Sequence, residues 1–124
     1  MTQLSILVVD DSLIMQKKIS TMVDGFGHHV IATAATGQEA IEKCAEYTPD
    51  LVTMDITMPD MNGIEATRKI LAAHPDCTII MVTSHGQESM VMEAIDAGAK
   101  GYVLKPVDKD KLANTINGVV NRTR

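Results

Sequence analysis

The sequence predicts a doubly wound α/β domain, in which five helices cover both faces of a five-stranded parallel sheet. Four short apolar runs are continuous rather than alternating, which is typical of strands buried on both faces. Segments with the helical spacing of apolar residues follow these runs, so strand and helix alternate five times along the 124 residues. Right-handed crossovers then place helices on each side of the sheet.

The five strands are predicted at the apolar runs. The continuous runs cover residues 6–9, 51–54, 79–82 and 102–104. The run at residues 29–33, HVIAT, is weaker, so we expect this strand to lie near an edge of the sheet.

The five helices are predicted from buried stripes and from residues that begin or end a helix. The boundary signals are Gly27 after the first, a capping box at residues 36–39 and Pro49 around the second, Asn62 and Pro75 around the third, Gly98 after the fourth, and Asp108 before the fifth. The side chains predicted to face the sheet are Met15, Ile19, Met22, Val23, Phe26, Ala40, Ile41, Cys44, Ala45, Ile64, Thr67, Ile70, Leu71, Val91, Ala94, Ile95, Leu112, Ile116, Val119 and Val120.

Composition and charge favour one domain and exclude several classes of partner. Hydrophobic residues make up 45% and charged residues 22%, as in ordinary globular chains, so we expect a single domain over residues 1–124. The net charge of −5 is unfavourable for direct binding of nucleic acid or an anionic membrane. Neither a signal peptide nor a membrane-spanning run is present, so a cytoplasmic location is expected. Cys44 and Cys77 lack metal-site spacing and are expected to be small buried hydrophobes in a reducing compartment.

Polar side chains follow four of the predicted strands. The carboxyl ends of parallel strands meet at one edge of the sheet, where such folds bind their ligands. The residues brought to that edge are Asp10, Asp11, Asp55, Thr83, Ser84 and Lys105. Each alone could be a helix cap, a turn residue or a solvated lysine, but their alignment indicates a site.

Three neighbouring carboxylates repel one another and need positive charge. Lys105 supplies one charge, and Mg²⁺, which binds through one or two carboxylates together with a phosphate oxygen, suits the rest of so open a site. Asp55 stands alone after a central strand and is the candidate nucleophile for an acyl phosphate, whose oxygens Lys105 and Thr83 would stabilise. The sequence therefore predicts Mg²⁺ and a phosphoryl group at this edge.

Four motifs at these strand ends carry a resemblance to a known family. They are VVDDS at residues 8–12, DITMPDMNG at 55–63, VTS at 82–84 and GYVLKP at 101–106. In this order, over essentially the whole chain, they resemble the receiver domains of two-component response regulators, and among them the single-domain chemotaxis type. The resemblance implies a flavodoxin-like sheet with strand order 2-1-3-4-5. It also implies a signalling protein that catalyses only its own phosphorylation and dephosphorylation.

The resemblance implies a role for each acidic residue of the predicted site. Asp55 would be the phosphoacceptor. Asp11, Asp55 and the main-chain carbonyl of Thr57 would hold Mg²⁺, with Asp10 acting largely through water.

The resemblance also assigns the residues after the last two strands. Lys105 would pair with the phosphoryl group, beside a cis peptide bond to Pro106. Thr83, together with Ser84, would bind the phosphoryl group. Thr83 and Tyr102 would form a switch in which the hydroxyl moves toward the phosphoryl group and the aromatic ring turns inward.

The chain departs from the family pattern at four positions. Thr57 and His85 occupy places that tune loss of the phosphoryl group, and they lack the Asn and Glu that orient water in some members. We therefore expect autodephosphorylation that is not fast. Gln16 and Val107 stand where many members have Arg and Phe, which leaves the chemistry intact but obscures the identity of the partners.

The partners implied are a histidine kinase as phosphodonor, a downstream target protein and a phosphatase, with the chain itself a monomer. No residues remain after the fifth helix for an output domain, so we expect a chemotaxis target such as a flagellar motor switch. A receiver domain excised from a larger regulator remains an alternative. The surface expected to bind the target includes Met90, Lys100, Tyr102, Lys109 and Lys111.

Three other functions compete with this interpretation. A Mg²⁺-dependent phosphohydrolase would use the same electrostatics, but hydrolases of the haloacid-dehalogenase type place a second Asp where this chain has Thr57. A flavodoxin-like FMN carrier shares the topology, but three carboxylates would repel the flavin phosphate. A constitutive binding module would leave the site unused.

Overall fold

The computed structural model describes residues 3–122, with side chains described for residues 3–120. Within this range five parallel strands form one sheet in the order β2-β1-β3-β4-β5, which confirms the predicted fold and strand order. The elements are β1 (Ser5–Val9), α1 (Leu13–Gly25), β2 (His29–Ala34), α2 (Gly37–Tyr47), β3 (Leu51–Met54), α3 (Gly63–Ala73), β4 (Thr78–Thr83), α4 (Glu88–Asp96), β5 (Gly101–Leu104) and α5 (Lys109–Arg122). Residues 1–2 and 123–124 of the predicted 1–124 domain lie outside the described residues.

The strands lie where the apolar runs predict them. Every residue of β3 is buried, as continuous apolar strands between two helical layers require. β2 is an edge strand and is mostly half-buried, which confirms its predicted position. Parallel pairing sets Val9 beside Met54 and Met54 beside Met81, so the residues that follow β1, β3 and β4 emerge at the same edge.

Two apolar layers hold the helices on opposite faces of the sheet. On one face α2, α3 and α4 pack on residues that include Leu7, Val52 and Met81. On the other face α1 and α5 pack on residues that include Val8 and Val82. Adjacent strand residues therefore point into different layers, as the period of two in a strand requires.

Side-chain caps fix the beginnings of four of the five helices, α1, α2, α3 and α5. Ser12 Oγ accepts a hydrogen bond from the Met15 main-chain N–H at 3.3 Å, and Asn62 Oδ1 accepts one from Glu65 at 2.8 Å. Thr36 Oγ1 accepts from the Glu39 N–H at 3.0 Å, while Glu39 Oε1 accepts in return from the N–H of the residue before Thr36. The cap at Asp108 is present as well, because its carboxylate accepts from the N–H two residues later.

The sequence places two side chains wrongly. Ala45 and Ile95 are predicted to face the sheet, but Ala45 is exposed and Ile95 is 55% exposed. Each follows the residue that does face inward, Cys44 or Ala94, and one helical step rotates a side chain by about 100°. α2 and α4 bury narrower stripes than their apolar residues suggest.

α4 is the least anchored of these helices. Ala94 is its one fully buried residue, and its N-cap residue Gln87 makes no side-chain capping hydrogen bond. Met92 and Ile95 on the same helix are more than half exposed. By contrast, α5 buries Leu112 and two further aliphatic side chains.

None of the helices within residues 3–122 has both the length and the apolar character needed to cross a bilayer.

Candidate functional site

Three carboxylates converge at the carboxyl edge of the sheet. Asp10 and Asp11 directly follow β1, and Asp55 directly follows the neighbouring strand β3. One oxygen from each carboxylate lies within 4.8 Å of the others, and no other acidic, histidine or cysteine cluster of this kind occurs in the described part of the chain. Asp10 and Asp55 are buried, whereas Asp11 is exposed. The predicted acidic residues are therefore brought together.

Lys105 supplies the positive charge among these carboxylates. Its Nζ lies 2.8 Å from Asp10 Oδ2 and 3.6 Å from Asp55 Oδ1. Its main-chain N–H donates to the Thr83 carbonyl at 2.8 Å, and its bond to Pro106 is cis, as predicted. One ammonium group thus faces three carboxylates, which leaves the described site with excess negative charge.

The pKa of Asp55 reflects both this negative charge and the burial of its side chain. Burial, together with the charges of Asp10 and Asp11, raises the pKa of Asp55 to about 6, against the opposing effects of Lys105 and of the Ile56 N–H. That N–H donates to Asp55 Oδ1 at 2.8 Å. A carboxylate with a raised pKa is a more basic nucleophile, and it gains stability from any cation that enters the site.

The donor set fits a hard cation. All three clustered side chains offer carboxylate oxygens, and the exposed Asp11 leaves one side open to water. Mg²⁺ prefers oxygen ligands and keeps several waters, so the residues present suit it better than a thiophilic metal.

The loops after β3 and β4 touch above this edge. Thr57 Oγ1 and His85 Nε2 lie 2.7 Å apart in a hydrogen bond between exposed side chains. These are the two residues predicted to tune dephosphorylation, and the structure places them in contact with each other. Neither of them carries a carboxylate.

His85 also connects the two residues predicted to form the switch. Thr83 is buried, and its Oγ1 accepts a hydrogen bond from the His85 N–H at 3.3 Å. The Tyr102 hydroxyl donates to the His85 carbonyl at 2.6 Å, and burial raises the pKa of Tyr102. Ser84 is exposed beside them. Thr83 and Tyr102 therefore hold the same short loop from two directions.

Three supporting residues were missed by sequence reasoning. Gln16, expected to bear on partner identity, is buried, and its Nε2 donates to the carbonyls of Asp10 at 2.8 Å and Ala34 at 3.3 Å. It fixes the turn that carries the acidic pair. The sequence signal for this role was a polar amide within the apolar stripe predicted for α1.

The other two missed residues lie in the segment after Asp55. The Asp60 carboxylate accepts from the N–H groups of Gly37 at 2.9 Å and Gln38 at 2.8 Å, so it ties this loop to the beginning of α2. These backbone donors lower the pKa of Asp60. Gly63 lies against the Asp55 main-chain carbonyl, which a Cβ at this position would overlap.

Known proteins share both the sequence and the fold. The family model for the response regulator receiver domain matches residues 6–117. The chemotaxis protein CheY of Thermotoga maritima is 42% identical over 114 residues, which cover 92% of this chain and 95% of that protein. CheY of Bacillus subtilis is 45% identical over 116 residues, which cover 94% and 97% respectively.

A solved structure extends the likeness to three dimensions. A chain in the crystal structure of the CheX–CheY–BeF3–Mg²⁺ complex from Borrelia burgdorferi matches with a TM-score of 0.91 and 34% identity, over 94% of this chain and 88% of that one. The acidic cluster found here is typical of the Mg²⁺ site of receivers. The chain therefore belongs to the response regulator receiver domain family, and it is a two-component signalling protein rather than a conventional enzyme.

Proposed function

We propose that this chain is a phosphorelay response regulator in which Asp55 accepts a phosphoryl group from a histidine kinase. The observation that carries the proposal is the convergence of three carboxylates and Lys105 at one edge of the sheet. We extend it to the whole of residues 1–124 as a single receiver domain. The phosphorylated form differs in its affinity for a target protein.

In the proposed reaction an Asp55 oxygen attacks the phosphorus of a phosphohistidine. The new bond is an acyl phosphate, the phosphorus–nitrogen bond breaks, and the imidazole leaves with the electron pair. Asp11, Asp55 and the Thr57 carbonyl would hold Mg²⁺, with Asp10 acting through water, and the bound cation would supply positive charge to offset that of the phosphoryl oxygens.

Lys105 and the Thr83 side chain stabilise the product. The Lys105 Nζ is 3.6 Å from Asp55 and already faces the position where phosphoryl oxygens develop. Thr83 Oγ1, now bonded to the His85 N–H, turns toward the phosphoryl group, with Ser84 beside it. That movement loosens one of the two main-chain contacts of His85, and Tyr102 with its loop adjusts to the new position.

The Thr57–His85 contact sets how long the phosphoryl group persists. The two side chains bond to each other, and they provide neither the amide nor the carboxylate that orients the attacking water in some receivers. Slow autodephosphorylation follows, and we expect the lifetime to exceed that of receivers with Asn and Glu at these positions. A lifetime as short as theirs would contradict this part of the proposal.

An apolar patch beside the site suits a protein donor. Leu13 and Ile14 at the beginning of α1 are 75% and 71% exposed, and only Ser12 separates them from the acidic pair in sequence. A cavity of about 530 Å³ between α1 and the turn at Pro106 and Val107 adjoins them. Exposed apolar surface at the mouth of a polar site indicates a protein contact, as a kinase domain would make.

The remaining partners follow from the relatives. Two relatives aligned over nearly their full length are the chemotaxis proteins CheY of Thermotoga maritima and Bacillus subtilis, so we propose a chemotaxis or motility target such as a flagellar motor switch, in the cytoplasm. The target binds the surface formed by Met90, Lys100, Tyr102, Lys109 and Lys111. A further protein, such as a phosphatase, acts on the phosphorylated monomer, in keeping with a solved CheX–CheY complex.

Intact mass after incubation with acetyl phosphate tests the proposal. We expect a Mg²⁺-dependent, base-labile gain of one phosphoryl group in the wild type and in the control Asp24→Asn, and no gain in Asp55→Asn. Retention of the gain in Asp55→Asn would overturn the assignment of the acceptor. Absence of any gain would indicate a constitutive binding module, and continuous release of phosphate would indicate a phosphohydrolase.

A further inference from the structure

The two cysteines of the chain meet at the amino edge of the sheet, opposite the acidic site. Cys44 lies in the last turns of α2 and is 1% exposed, whereas Cys77 directly precedes β4 and is half-buried. The two thiols are close enough for each to shift the pKa of the other, and both residues line a cavity of about 380 Å³ between the ends of α2 and α3. The predicted burial of both cysteines is therefore complete for Cys44 and only partial for Cys77.

The contact makes the two thiols chemically different. The neighbouring Cys44 thiol lowers the pKa of the Cys77 thiol, whereas Cys77 and burial raise the pKa of Cys44. Cys77 is also the more exposed of the two and opens onto the cavity. Because the thiolate is the reactive form, Cys77 is the nucleophile of the pair and Cys44 the neighbour that can resolve its oxidation product.

A metal ion fits this place less well than a redox reaction. His74, Asp50 and Asp76 also line the cavity, but among the described residues only the acidic site brings three ligand atoms within 4.8 Å of one another. Two thiols without a third converging ligand do not form a stable zinc site. Both cysteines are free in the structure and available for oxidation.

We propose that Cys44 and Cys77 form a redox-active dithiol pair that a peroxide converts to an intramolecular disulfide. The Cys77 sulfur attacks one oxygen of hydrogen peroxide, the O–O bond breaks, and the departing oxygen leaves as water after taking a proton. Cys44 then loses its proton, its sulfur displaces the oxygen of the Cys77 sulfenic acid, and a second water leaves. Peroxide gains two electrons, and each sulfur loses one.

The pair acts independently of the phosphoacceptor. β4 has six residues, so at 3.3 Å per residue Cys77 lies about 20 Å from Thr83 along the strand. The disulfide joins the end of α2 to the segment that enters β4. We therefore expect oxidation to proceed equally in the wild type and in Asp55→Asn, whatever the outcome of the phosphorylation experiment.

The test treats the full chain with hydrogen peroxide, denatures it in iodoacetamide and measures intact mass. We expect the wild type to lose two hydrogens, take up no alkyl group and remain monomeric on a non-reducing gel. In Cys44→Ala the sulfenic acid of Cys77 should persist and be trapped by dimedone, whereas Cys77→Ser should keep Cys44 reduced. Two alkylated thiols in treated wild type, or disulfide-linked dimers, would overturn the proposal.

A second measurement needs no variant. Brief alkylation of the native, reduced wild type at neutral pH, followed by peptide mapping, compares the two thiols directly. We expect Cys77 to be modified at least ten times faster than Cys44. Equal rates, or faster modification of Cys44, would contradict the assigned roles even if a disulfide forms.

Discussion

The two aspartates at the ends of β3 show how differently one fold uses the same side chain. Asp50, before the strand, accepts hydrogen bonds from the Ser5 N–H at 2.9 Å and from its hydroxyl at 3.1 Å. Asp55, after the strand, lies beside two other carboxylates and has a pKa raised to about 6. The first ties two strands together, whereas the second reduces stability. The destabilising position is the one that offers chemistry.

The largest loss of stability is expected from a substitution at Gly63, which lies against the Asp55 main chain. In Gly63→Ala the new Cβ overlaps the Asp55 main-chain carbonyl and the Met54 side chain, so the chain after β3 must move. We expect a loss of about 2–4 kcal/mol in the free energy of unfolding. Urea denaturation measures it.

Gly118→Ala is the matched control, because a Cβ there meets open space on α5. It should gain about 0.5–1 kcal/mol from reduced freedom of the unfolded chain. Similar losses in both variants would show that contact with Asp55 is not the cause.

Removing the charged side chain at either end of β3 should change the free energy of unfolding in opposite directions. Asp55→Asn removes a buried charge from two like neighbours and should stabilise the metal-free protein by about 1–2 kcal/mol at pH 7, after allowance for solvent screening. The folded pKa of about 6 lies above the usual value of 3.8, so the cost of ionising Asp55 in the folded state grows between these two pH values and is complete above about pH 6. The gain should therefore shrink as pH falls from 7 to 4 in urea titrations.

Asp50→Asn should instead destabilise, by less than about 1 kcal/mol, because it weakens exposed hydrogen bonds to Ser5. A stabilised Asp50→Asn would contradict the comparison between the two ends.

Mg²⁺ should stabilise the folded protein through Asp11 and Asp55, and not through Asp50. At ten times its dissociation constant, a ligand that binds the folded chain adds about 1.4 kcal/mol, which raises the midpoint of thermal unfolding. Asp11→Asn and Asp55→Asn should lose most of this increase, whereas Asp50→Asn should keep it. An equal increase in all four proteins would place the cation elsewhere.

The smallest change in stability is expected for a substitution within β3, between Asp50 and Asp55. Thr53 lies in the middle of β3, and its buried hydroxyl has no hydrogen-bond partner among the described residues. Thr53→Val replaces the hydroxyl with a methyl group of similar size and should stabilise by about 0.5–1 kcal/mol. Thermal unfolding of this variant beside Val52→Thr, which should lose stability, checks the sign.

The predictable features of this molecule are local ones. β3 was predicted at its observed bounds because a strand buried on both faces forms a nearly continuous apolar run. The acidic site was predicted because the residues that follow parallel strands meet at one edge of the sheet. The predicted burial of Ala45 and Ile95 was wrong because an apolar side chain next to a buried stripe can lie outside that stripe.

The remaining features depend on contacts between distant parts of the chain. Gln16 joins β1 to β2 through carbonyl groups, and no pattern along α1 reveals those acceptors. The Cys44–Cys77 contact likewise arises only when α2 and the segment before β4 pack together. Residue type indicated where chemistry lies, but the partners of each group required the fold.

The sparse anchoring of α4 has a consequence for local opening of the native state. With Ala94 as its one fully buried residue and no side-chain cap, α4 gains little from packing on the sheet. Its amide hydrogens should exchange with solvent at a lower free energy than those of α5. A small rearrangement at the preceding His85 loop could then shift a large part of the α4 ensemble, so the weakest helix is the one most easily redirected by the site.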